Sequence, residues 1–451
     1  MGNPYEKIFG TDGVRGRANQ YPITPDTVLK LAQAVVQEFQ KNPGNHGVVI
    51  GKDPRLSGYM IESALTAGFI SMGMNVFLVG PLPTPAISML TRSLRADLGV
   101  MISASHNPAE DNGLKFFGPD GFKLDDQVQD RIEGYFKESK PNGLASPLNL
   151  GYAKRIDDAQ GRYIEFVKNA FPKDLRLDGL KIVVDCANGA AYKVAPTVFW
   201  ELGAEVIAIG NAPNGININQ HCGAMHPELL IETVKKHQAN IGIALDGDAD
   251  RVIMVDENGT LINGDFLLAA IATSWSAKNK LHKSGIITTI MSNLGLEHYL
   301  ESLGLHLVRT NVGDRYVSEY MRLHGYNVGG EQSGHIILGD SATTGDGLMA
   351  ALQVLALLVE DKKSASYLSS LFTPYPQILK NVRGIKKSHL QDSNVVTMIK
   401  DLQGTLGHKG RLIVRPSGTE DMIRIMAEGE DAQMIEEFIG ALVDVLEEKR
   451  S

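Results

Sequence analysis

Two short segments of the sequence carry residues that could together transfer a phosphoryl group. The first, S-A-S-H-N-P at residues 103–108, presents the hydroxyl of Ser105 in a turn that follows an apolar run. The second, D-G-D-A-D-R at residues 246–251, presents three carboxylates at alternate positions, followed at once by a cation. A phosphoryl group on a serine needs a metal ion to spread its charge, and a carboxylate cluster is how proteins hold that ion. The two segments together predict a phosphoserine enzyme.

The carboxylates of the second segment, Asp246, Asp248 and Asp250, predict a Mg²⁺ site. The alternative is a polar hairpin turn between two apolar runs, but carboxylates so close repel one another, and a divalent cation relieves that repulsion. A calcium EF-hand is a second alternative. Arg251 stands where that loop needs glycine, and the flanking runs are typical of strands, which disfavours it. With a phosphate oxygen as a further ligand, Mg²⁺ is the better match.

Three other residues offer charge or a proton for the same chemistry. His106, next to the candidate nucleophile, is either structural or catalytic. Lys115 is either an exposed charge on a strand or a group that neutralises phosphate or acts as a general acid or base. The glycine-rich segment T-D-G-V-R-G at residues 11–16 contributes Arg15, which could face the phosphoserine.

Two later segments have the composition of loops that bind sugar and phosphate. G-E-Q-S-G-H at residues 330–335 is either a polar loop after a strand or a hydroxyl-binding loop, in which Glu331 and Ser333 suit sugar hydroxyls and His335 could transfer a proton. R-P-S-G-T-E at residues 415–420 favours an anion site over a plain turn, because arginines flank backbone N–H and hydroxyl donors. The residues of this predicted phosphate site are Arg415, Ser417, Gly418, Thr419 and Arg424.

A unit that recurs three times predicts the elements that position these segments. Its copies begin at Gly47, Leu180 and Gly285, and each has a β-branched run, a polar turn, a helical stretch ended by glycine and a second β-branched run. This is the pattern of a βαβ unit. Each copy is followed by another apolar run that leads into one of the polar segments described above. Because ligands of open α/β sheets lie at the carboxyl ends of strands, three similar domains would each supply one loop to a common cleft.

The predicted fold class is therefore α/β. It comprises three similar mixed α/β domains built on βαβ units plus a smaller α+β C-terminal domain, arranged around a central cleft. The sequence pattern of the C-terminal domain predicts two strands, a turn between them and an amphipathic helix. The predicted domains are 1–152, with the phosphoserine loop, 153–256, with the metal loop, 257–368, with the sugar-binding loop, and 369–451, with the phosphate-binding segment.

Composition restricts the class of partner that the protein binds and the cellular compartment in which we expect it. The chain of 451 residues is too long for one hydrophobic core, and 43% hydrophobic with 21% charged residues is typical of a globular protein. The net charge of −8 argues against general nucleic-acid binding. Cys186 and Cys222 indicate two buried thiols rather than a disulfide framework. No signal sequence or bilayer-spanning segment is evident, so we expect a cytoplasmic protein with no membrane partner.

Five motifs in this order resemble the α-D-phosphohexomutase superfamily, and the resemblance spans nearly the whole chain. They are T-D-G-V-R-G, S-A-S-H-N-P, D-G-D-A-D-R, G-E-Q-S-G-H and R-P-S-G-T-E. Within the superfamily, the serine motif, N-V-G-D-R-Y at residues 311–316 and Gln332 are similar to the bacterial branch that acts on hexosamine phosphates. The phosphomannomutase/phosphoglucomutase branch usually has Met in place of Gln332. One segment, C-G-A-M-H-P at residues 222–227, departs from C-G-S-T-[DH]-P, the pattern more usual in this superfamily.

The resemblance implies a role for each candidate residue. Ser105 would be the phosphoserine, and its phosphate would complete a Mg²⁺ site formed with the three aspartates. Glu331 and Ser333 would bind sugar hydroxyls, and the arginine-flanked segment of the tail would bind the distal phosphate of the substrate. The catalytic set would be Ser105, His106, Lys115, Arg251 and His335, with Lys115 and His335 as the candidates for the general base.

The implied reaction interconverts glucosamine 6-phosphate and glucosamine 1-phosphate and supplies UDP-N-acetylglucosamine synthesis. The phosphoserine donates its phosphoryl group to the sugar, the bisphosphate turns around, and its other phosphate returns to Ser105. The partner would be a phosphorylated hexosamine, and a homodimer is the assembly considered. The alternatives are a phosphomannomutase or phosphoglucomutase, a non-catalytic sugar-phosphate sensor and a phosphatase.

Overall fold

The computed structural model describes residues 7–10, 12–40, 44–138, 143–416 and 422–448. The chain forms two compact units. The first comprises residues 1–291 together with 307–370, and the second comprises residues 292–306 together with 371–451. Three successive parts of the chain each contain a sheet with helices, and the C-terminal part contains a smaller sheet.

The first part is a mixed sheet whose central strands are buried. Its elements are β1 (Val14–Arg17), α1 (Pro25–Phe39), β2 (Gly47–Lys52), α2 (Ser57–Ser71), β3 (Asn75–Pro81), α3 (Thr84–Ser93), β4 (Leu98–Ile102), β5 (Asp111–Phe117), α4 (Asp126–Lys137) and β6 (Ala153–Arg155). The strand order is β1-β5-β4-β2-β3-β6. Strand β2 is parallel to β3 and β4, and β5 is antiparallel to β4. Strands β2 and β4 are buried along their whole length, as expected of strands covered by helices.

The second part has the same arrangement in a sheet of five strands instead of six. Its elements are α5 (Ala159–Lys168), β7 (Lys181–Asp185), α6 (Val194–Glu201), β8 (Glu205–Ile209), α7 (Glu228–His237), β9 (Ile241–Leu245), β10 (Val252–Asp256) and β11 (Leu261–Ile262). The strand order is β11-β10-β9-β7-β8. Strand β7 is parallel to β8 and β9, and β10 is antiparallel to β9.

The third part repeats the arrangement again. Its elements are α8 (Gly264–Ala277), a 3₁₀ turn (His282–Ser284), β12 (Gly285–Thr289), α9 (Leu294–Ser302), β13 (His306–Thr310), α10 (Asp314–His324), β14 (Val328–Gly330), β15 (Ile336–Leu338), α11 (Gly347–Glu360) and α12 (Ser366–Ser369). The strand order is β13-β12-β14-β15. Strand β14 is parallel to β12 and antiparallel to β15.

The prediction that a βαβ unit occurs three times is confirmed. The structure shows that the three copies are alike over four strands each. The orders β5-β4-β2-β3, β10-β9-β7-β8 and β15-β14-β12-β13 are equivalent strand by strand. In each copy, the third strand in chain order forms an antiparallel hairpin with the fourth. The hairpin loops that follow β4, β9 and β14 therefore occupy equivalent places in the three sheets, and these loops contain Ser105, the aspartates and Glu331.

The C-terminal part is an antiparallel sheet with two long helices. Its elements are β16 (Gln377–Arg383), a 3₁₀ turn (Lys387–Gln391), α13 (Ser393–Leu406), a 3₁₀ turn (Gly407–Lys409), β17 (Gly410–Pro416), β18 (Met422–Gly429) and α14 (Ala432–Glu447). The strand order is β16-β18-β17. The two predicted strands and the last helix are confirmed. Strand β16 was not predicted, because it lies at the sheet edge and most of its residues are partly or fully exposed, so it lacks an apolar alternation.

The structure bears on two expectations from the sequence, which concern the cysteines and membrane-spanning helices. Cys186 and Cys222 are both buried free thiols, as predicted. Within the described part of the chain, no helix has both the length and the apolar composition that crossing a bilayer requires.

A buried polar contact joins α5 to α11. Tyr163 Oη donates to Asp346 Oδ2 at 3.0 Å, and Asp346, which precedes α11, also accepts the Met349 N–H at 3.0 Å. Tyr163 and Asp346 are 0% and 2% exposed. Burial raises the pKa of Asp346 from its ordinary 3.8 to about 6, because a charge is costly away from water.

We predict that Asp346→Asn gains stability over the wild type as the pH rises. The unfolded carboxyl ionises near 3.8, whereas the folded one keeps its proton until about pH 6, so ionisation favours the unfolded state through this window. A rise of about two pKa units corresponds to about 3 kcal/mol, which is fully expressed above about pH 7. The neutral amide can still accept the Met349 N–H and does not carry this cost.

Urea unfolding at a series of pH values measures the effect as the difference in unfolding free energy between variant and wild type. That difference should grow in favour of the variant with increasing pH. Tyr163→Phe removes a donor that lowers the pKa of Asp346, so it should extend the loss of stability to higher pH and enlarge its total size. A difference that stays constant across the series would contradict the prediction.

Candidate active site

The hairpin loops after β4 and β9 bring the candidate nucleophile to the carboxylate cluster. Ser105 Oγ donates a hydrogen bond to Asp246 Oδ2 at 2.6 Å. Ser105 and Asp246 are 1% and 0% exposed. Carboxylate oxygens of Asp246, Asp248 and Asp250 all lie within 4.8 Å of one another. The two segments that the sequence analysis paired are therefore adjacent in the folded chain.

The aspartate segment is a tight turn between two strands. Leu245 of β9 pairs with Val252 of β10, so residues 246–251 close the hairpin. Ala249 adopts a left-handed φ of 57° and donates its N–H to the Asp246 carbonyl at 3.0 Å. The flanking elements are strands, as the argument against an EF-hand required.

The carboxylate oxygens of this turn leave places for a cation. Lys115 Nζ, from β5, donates to Asp248 Oδ2 at 2.7 Å and to Asp250 Oδ2 at 2.8 Å. The other oxygens, Asp248 Oδ1 and Asp250 Oδ1, are buried and accept no hydrogen bond from any described residue. Buried polar atoms without a partner are rare, and carboxylate oxygens are the ligands that Mg²⁺ prefers. The residues present therefore fit a divalent cation.

The charges around the cluster are unevenly compensated. Burial, together with the charges of Asp250 and Asp248, raises the pKa of Asp246 to about 8. Burial also acts to raise the pKa of Asp250, but Lys115 and His335 hold that pKa well below its ordinary value. The charge of Arg251 lowers the pKa of Asp246 but does not offset burial and the two neighbouring aspartates, and a divalent cation bound by the cluster would supply further positive charge.

Lys115 is buried rather than exposed. It is 1% exposed, so the alternative of an exposed strand charge is wrong. Burial alone would lower the pKa of Lys115, but the carboxylates of Asp12, Asp248 and Asp250 hold that pKa well above its ordinary value. A buried ammonium group is tolerated here because carboxylates surround it.

His335 connects the third hairpin loop to the aspartate turn. Arg251 and His335 form an antiparallel bridge, and His335 is 2% exposed. His335 Nδ1 lies 3.6 Å from Asp250 Oδ1, and His335 Nε2 lies 3.2 Å from Asp314 Oδ2. Burial acts to lower the pKa of His335, but the carboxylates of Asp314 and Asp250 raise it above its ordinary value.

His106 lies between the serine hydroxyl and Arg251, and the charge of Arg15 also acts on its ring. His106 Nδ1 lies 3.4 Å from Ser105 Oγ and 3.3 Å from Arg251 Nη1. Burial, with the charges of Arg251 and Arg15, lowers the pKa of His106 to about 4, so the ring is neutral and its Nδ1 can accept from Arg251. The buried Nε atoms of Arg15 and Arg251 donate to no described residue. An anion on Ser105 would give such charged donors an acceptor.

The predicted sugar-binding residues lie in the same hairpin loop as His335. Glu331, which is 9% exposed, accepts the Gly313 N–H at 3.2 Å and the Ser333 hydroxyl at 3.5 Å. The Gly334 carbonyl accepts the N–H of Val252 at 3.0 Å, which ties this loop to the aspartate turn. The structure thus brings Glu331 and Ser333 to the edge of the buried cluster.

The predicted phosphate-binding arginines belong to the second unit. Arg415 on β17 and Arg424 on β18 are directly opposite one another across the strand pair. Burial and the charge of Arg424 lower the pKa of Arg415. Two adjacent guanidinium groups suit an anion. Ser417, Gly418 and Thr419 lie outside the described residues.

A set of charged residues beside the cluster was not predicted from the sequence. Lys123 forms ion pairs with Asp12 and Asp314, and Asp12 also pairs with Arg15. Asp12 and Asp314 stand next to glycine within the quoted motifs T-D-G-V-R-G and N-V-G-D-R-Y, which was an available signal. Lys123 carries no such signal, because its partners are far from it in sequence.

Comparison with known families shows the same division into parts. The models for phosphoglucomutase/phosphomannomutase alpha/beta/alpha domains I, II and III match residues 6–142, 161–259 and 263–375. The model for the C-terminal domain of phosphoglucomutase/phosphomannomutase matches residues 373–445. The domain boundaries given above at residues 152, 256 and 368 stay predictions.

Individual relatives and solved structures agree with these matches. The chain is 58% identical to the phosphoglucosamine mutase of Parvibaculum lavamentivorans over 441 residues, which is 98% of each chain. It is also 58% identical to that of Methylobacterium nodulans over 440 residues, again 98% of each. Among solved structures, a phosphoglucomutase/phosphomannomutase family protein of Burkholderia thailandensis superposes with a TM-score of 0.82 at 23% identity, covering 100% of this chain and 99% of that one.

A second solved structure shares the fold at greater distance. The Aspergillus fumigatus N-acetylphosphoglucosamine mutase, in complex with GlcNAc-6P and magnesium, has a TM-score of 0.67 at 18% identity, covering 98% of this chain and 96% of that one. Family models cover nearly the whole chain, and close relatives share more than half of its residues. The chain therefore belongs to the phosphoglucomutase/phosphomannomutase family, the α-D-phosphohexomutases, and within it to the phosphoglucosamine mutase group of isomerases.

Proposed function

We propose that this enzyme interconverts glucosamine 6-phosphate and glucosamine 1-phosphate, supplying UDP-N-acetylglucosamine synthesis. The observation that carries the proposal is the 2.6 Å hydrogen bond from Ser105 Oγ to Asp246, in a cluster with buried carboxylate oxygens that accept no hydrogen bond from a described residue. The relatives named phosphoglucosamine mutase support the choice of a glucosamine phosphate over other hexose phosphates. A cytoplasmic location and a homodimer belong to the same proposal.

The first step passes a phosphoryl group from Ser105 to the sugar. The bond between phosphorus and Ser105 Oγ breaks while a bond from phosphorus to a sugar oxygen forms. The sugar hydroxyl gives its proton to a base, and Ser105 Oγ takes a proton from an acid, so that the serine ends the step as a hydroxyl. Mg²⁺ bound by Asp246, Asp248, Asp250 and the phosphate on Ser105 would spread the charge of the transferring group.

The second step is the reverse of the first with the other phosphate of the bisphosphate. The sugar turns around, so that the phosphate it already carried now faces Ser105 Oγ, which attacks the phosphorus. Ser105 Oγ gives its proton to the base, the bond between phosphorus and the sugar oxygen breaks, and that oxygen takes a proton from the acid. Ser105 is again phosphorylated, and the sugar monophosphate leaves. Because both steps use the same serine, the residues around it must suit phosphate on either partner.

Roles for the residues around the serine follow from charge. Arg15 and Arg251 hold the phosphate on Ser105, since the Nε–H groups of both are buried and have no acceptor among the described residues. His106 is neutral and accepts from Arg251, which fixes that guanidinium group. Lys115 and His335 both contact Asp250, and nearby carboxylates raise the pKa of each. Both stay candidates for the base, and the one that acts must first lose its proton, whereas the protonated form suits the acid that protonates the leaving oxygen.

Roles for the remaining residues concern the far end of the substrate. Glu331 and Ser333 bind sugar hydroxyls, because a carboxylate and a hydroxyl group offer acceptors at one loop. Arg415 and Arg424, with the backbone and hydroxyl groups of residues 417–419, bind the phosphate that is not being transferred.

We predict that Ser105→Ala abolishes both phosphorylation and isomerisation. Without the hydroxyl no covalent intermediate forms, and turnover should fall by at least about 10³-fold. Intact-mass measurement and peptide mapping of the wild type should find one phosphate on the peptide that contains residues 103–108, and substrate should discharge it. Ser302→Ala, a change of the same kind at the exposed end of α9, should leave both properties unchanged. Normal isomerisation by Ser105→Ala would refute the proposed mechanism.

We predict that Asp248→Asn weakens Mg²⁺ binding by at least about tenfold, because an amide oxygen replaces a charged ligand. Calorimetric titration of the folded proteins with Mg²⁺ gives the dissociation constants directly, without an activity assay. The matched control is Asp314→Asn, a partly buried aspartate that pairs with Lys123 and is not one of the clustered carboxylates. Its affinity should stay within about twofold of the wild type. Equal weakening in both variants would remove the metal role from Asp248.

We predict that kcat/KM is highest for glucosamine phosphate, by at least about tenfold over glucose and mannose phosphates. Steady-state rates with each 1-phosphate and 6-phosphate, measured beside release of inorganic phosphate, separate the alternatives. A preference for glucose or mannose would indicate a phosphoglucomutase or phosphomannomutase. Binding without turnover would indicate a sensor, and inorganic phosphate without isomer would indicate a phosphatase.

A further inference from the structure

We propose that Arg55 and Asn219 position Ser105 for phosphoryl transfer by fixing the main chain around it. The inference rests on the proposed function, because it concerns the same serine. Neither side chain makes a hydrogen bond to the serine hydroxyl or to the clustered aspartates. Both act through backbone carbonyls of residues 103–110, the loop between β4 and β5, which we call the serine loop. They are therefore positioning residues.

Ser105 has a backbone conformation that needs support from outside its own segment. Its φ is 53°, in the left-handed region, which costs a residue with a side chain about 1 kcal/mol or more. The Ser105 N–H donates to Ser103 Oγ at 2.9 Å, and Ser103 Oγ donates to Asp53 Oδ2 at 2.6 Å. Ser103, the second hydroxyl of the motif, thus holds the amino side of Ser105.

Arg55 holds the carboxyl side of Ser105. It follows β2 and is 1% exposed. Its Nη2 donates to the carbonyls of Ser105 at 3.1 Å and Asn107 at 2.8 Å. Its Nη1 donates to the carbonyl of Asp111 at 3.1 Å and to that of Pro108, and its Nε donates to Asp53 at 2.9 Å. Every N–H of the guanidinium group therefore has an acceptor, and most of these acceptors are carbonyls of one loop.

Asn219 reaches the same carbonyls from the second part of the chain. Its Nδ2 donates to Ser105 O at 2.9 Å and to Asn107 O at 3.0 Å. Because carbonyl oxygens only accept, the amide must present its NH₂ group to them. Asn219 is 6% exposed and has a φ of 58°, and its own N–H donates to the Ala187 carbonyl at 2.8 Å. Ser105 O and Asn107 O thus each accept from both Arg55 and Asn219.

The aspartate turn lies against the same carbonyl. A Cβ added to Gly247 would lie 2.5 Å from Ser105 O, so only glycine allows this approach. The position of Ser105 O therefore sets how close the serine loop comes to the turn that carries Asp246. Phosphoryl transfer depends on placement of the nucleophile to within about half an ångström, and these contacts supply that placement while the phosphate comes and goes.

The test is Asn219→Gly, which keeps the left-handed backbone accessible and removes both side-chain hydrogen bonds. Glucosamine 1,6-bisphosphate is added to dephosphorylated enzyme, and the rate of Ser105 phosphorylation is followed by mass spectrometry. The rate should fall roughly 10- to 100-fold, whereas KM for the sugar phosphate and the Mg²⁺ dissociation constant should stay within about twofold. Hydrogen exchange of the peptide that spans the serine loop should become faster.

The matched control is Asn188→Gly. Asn188 also has a left-handed φ, of 47°, and its amide bonds to Asn217 O and to the Ala212 N–H without contacting the serine loop. This variant should be phosphorylated at the wild-type rate. Asn219→Asp provides a second test should the glycine variant not fold, because it keeps size and backbone preference but places an oxygen against two carbonyls. It should also be phosphorylated slowly.

The outcomes separate this inference from the proposed function. A wild type that never becomes phosphorylated on Ser105 would defeat the proposed function. A wild type and an Asn219→Gly variant phosphorylated at equal rates would overturn the positioning role alone. Equal slowing in Asn219→Gly and Asn188→Gly would also overturn it, since that result would reflect general loosening of the second part.

Discussion

The contact between Ser105 Oγ and Asp246 Oδ2, at 2.6 Å, joins hairpins from two copies of one strand unit. A hydroxyl and a carboxylate are both buried there, so each needs its partner to offset lost hydration. The geometry that sustains the contact lies in the surrounding backbone: two buried side chains hold the serine carbonyl, and a glycine lets the aspartate turn approach it. The chemistry of the proposed site thus depends on how closely two loops are docked.

Charge balance is the second constraint on the same region. Clustered carboxylates would repel one another in the protein interior unless cations lay among them. Lys115 pairs with one carboxylate oxygen of Asp248 and one of Asp250. Arg251 and His335, whose backbones form a β-bridge, place further positive charge beside the cluster. Asp248 Oδ1 and Asp250 Oδ1 accept no hydrogen bond from a described residue, and the Nε–H groups of Arg15 and Arg251 have no described acceptor. A divalent cation and a phosphate would satisfy both, which is why the site suits a phosphorylated serine.

Repetition of one topology explains how loops far apart in sequence can meet. In each copy the third strand of the unit ends in a hairpin loop, and these loops carry Ser105, the three aspartates and Glu331. Loops of different copies bury these polar residues against one another, so each residue finds partners on another copy: Ser105 bonds to Asp246, and Val252 N–H bonds to the Gly334 carbonyl. Different loops on the same strand arrangement thus supply the proposed nucleophile, metal site and hydroxyl-binding residues.

The sequence by itself determined the chemical inventory and the repeated unit, because both depend on local order. Spacing of carboxylates, β-branched runs and glycines after helices are visible within a few residues of one another. Lys115 could be named but not placed, and strand β16 lacked an apolar alternation. Arg55, Asn219 and Lys123 were beyond prediction, since they act on groups 50 or more residues away, up to 191 for Lys123 and Asp314. Only tertiary structure decides such contacts, because a carbonyl or a carboxylate becomes a partner only when folding brings it within hydrogen-bonding distance.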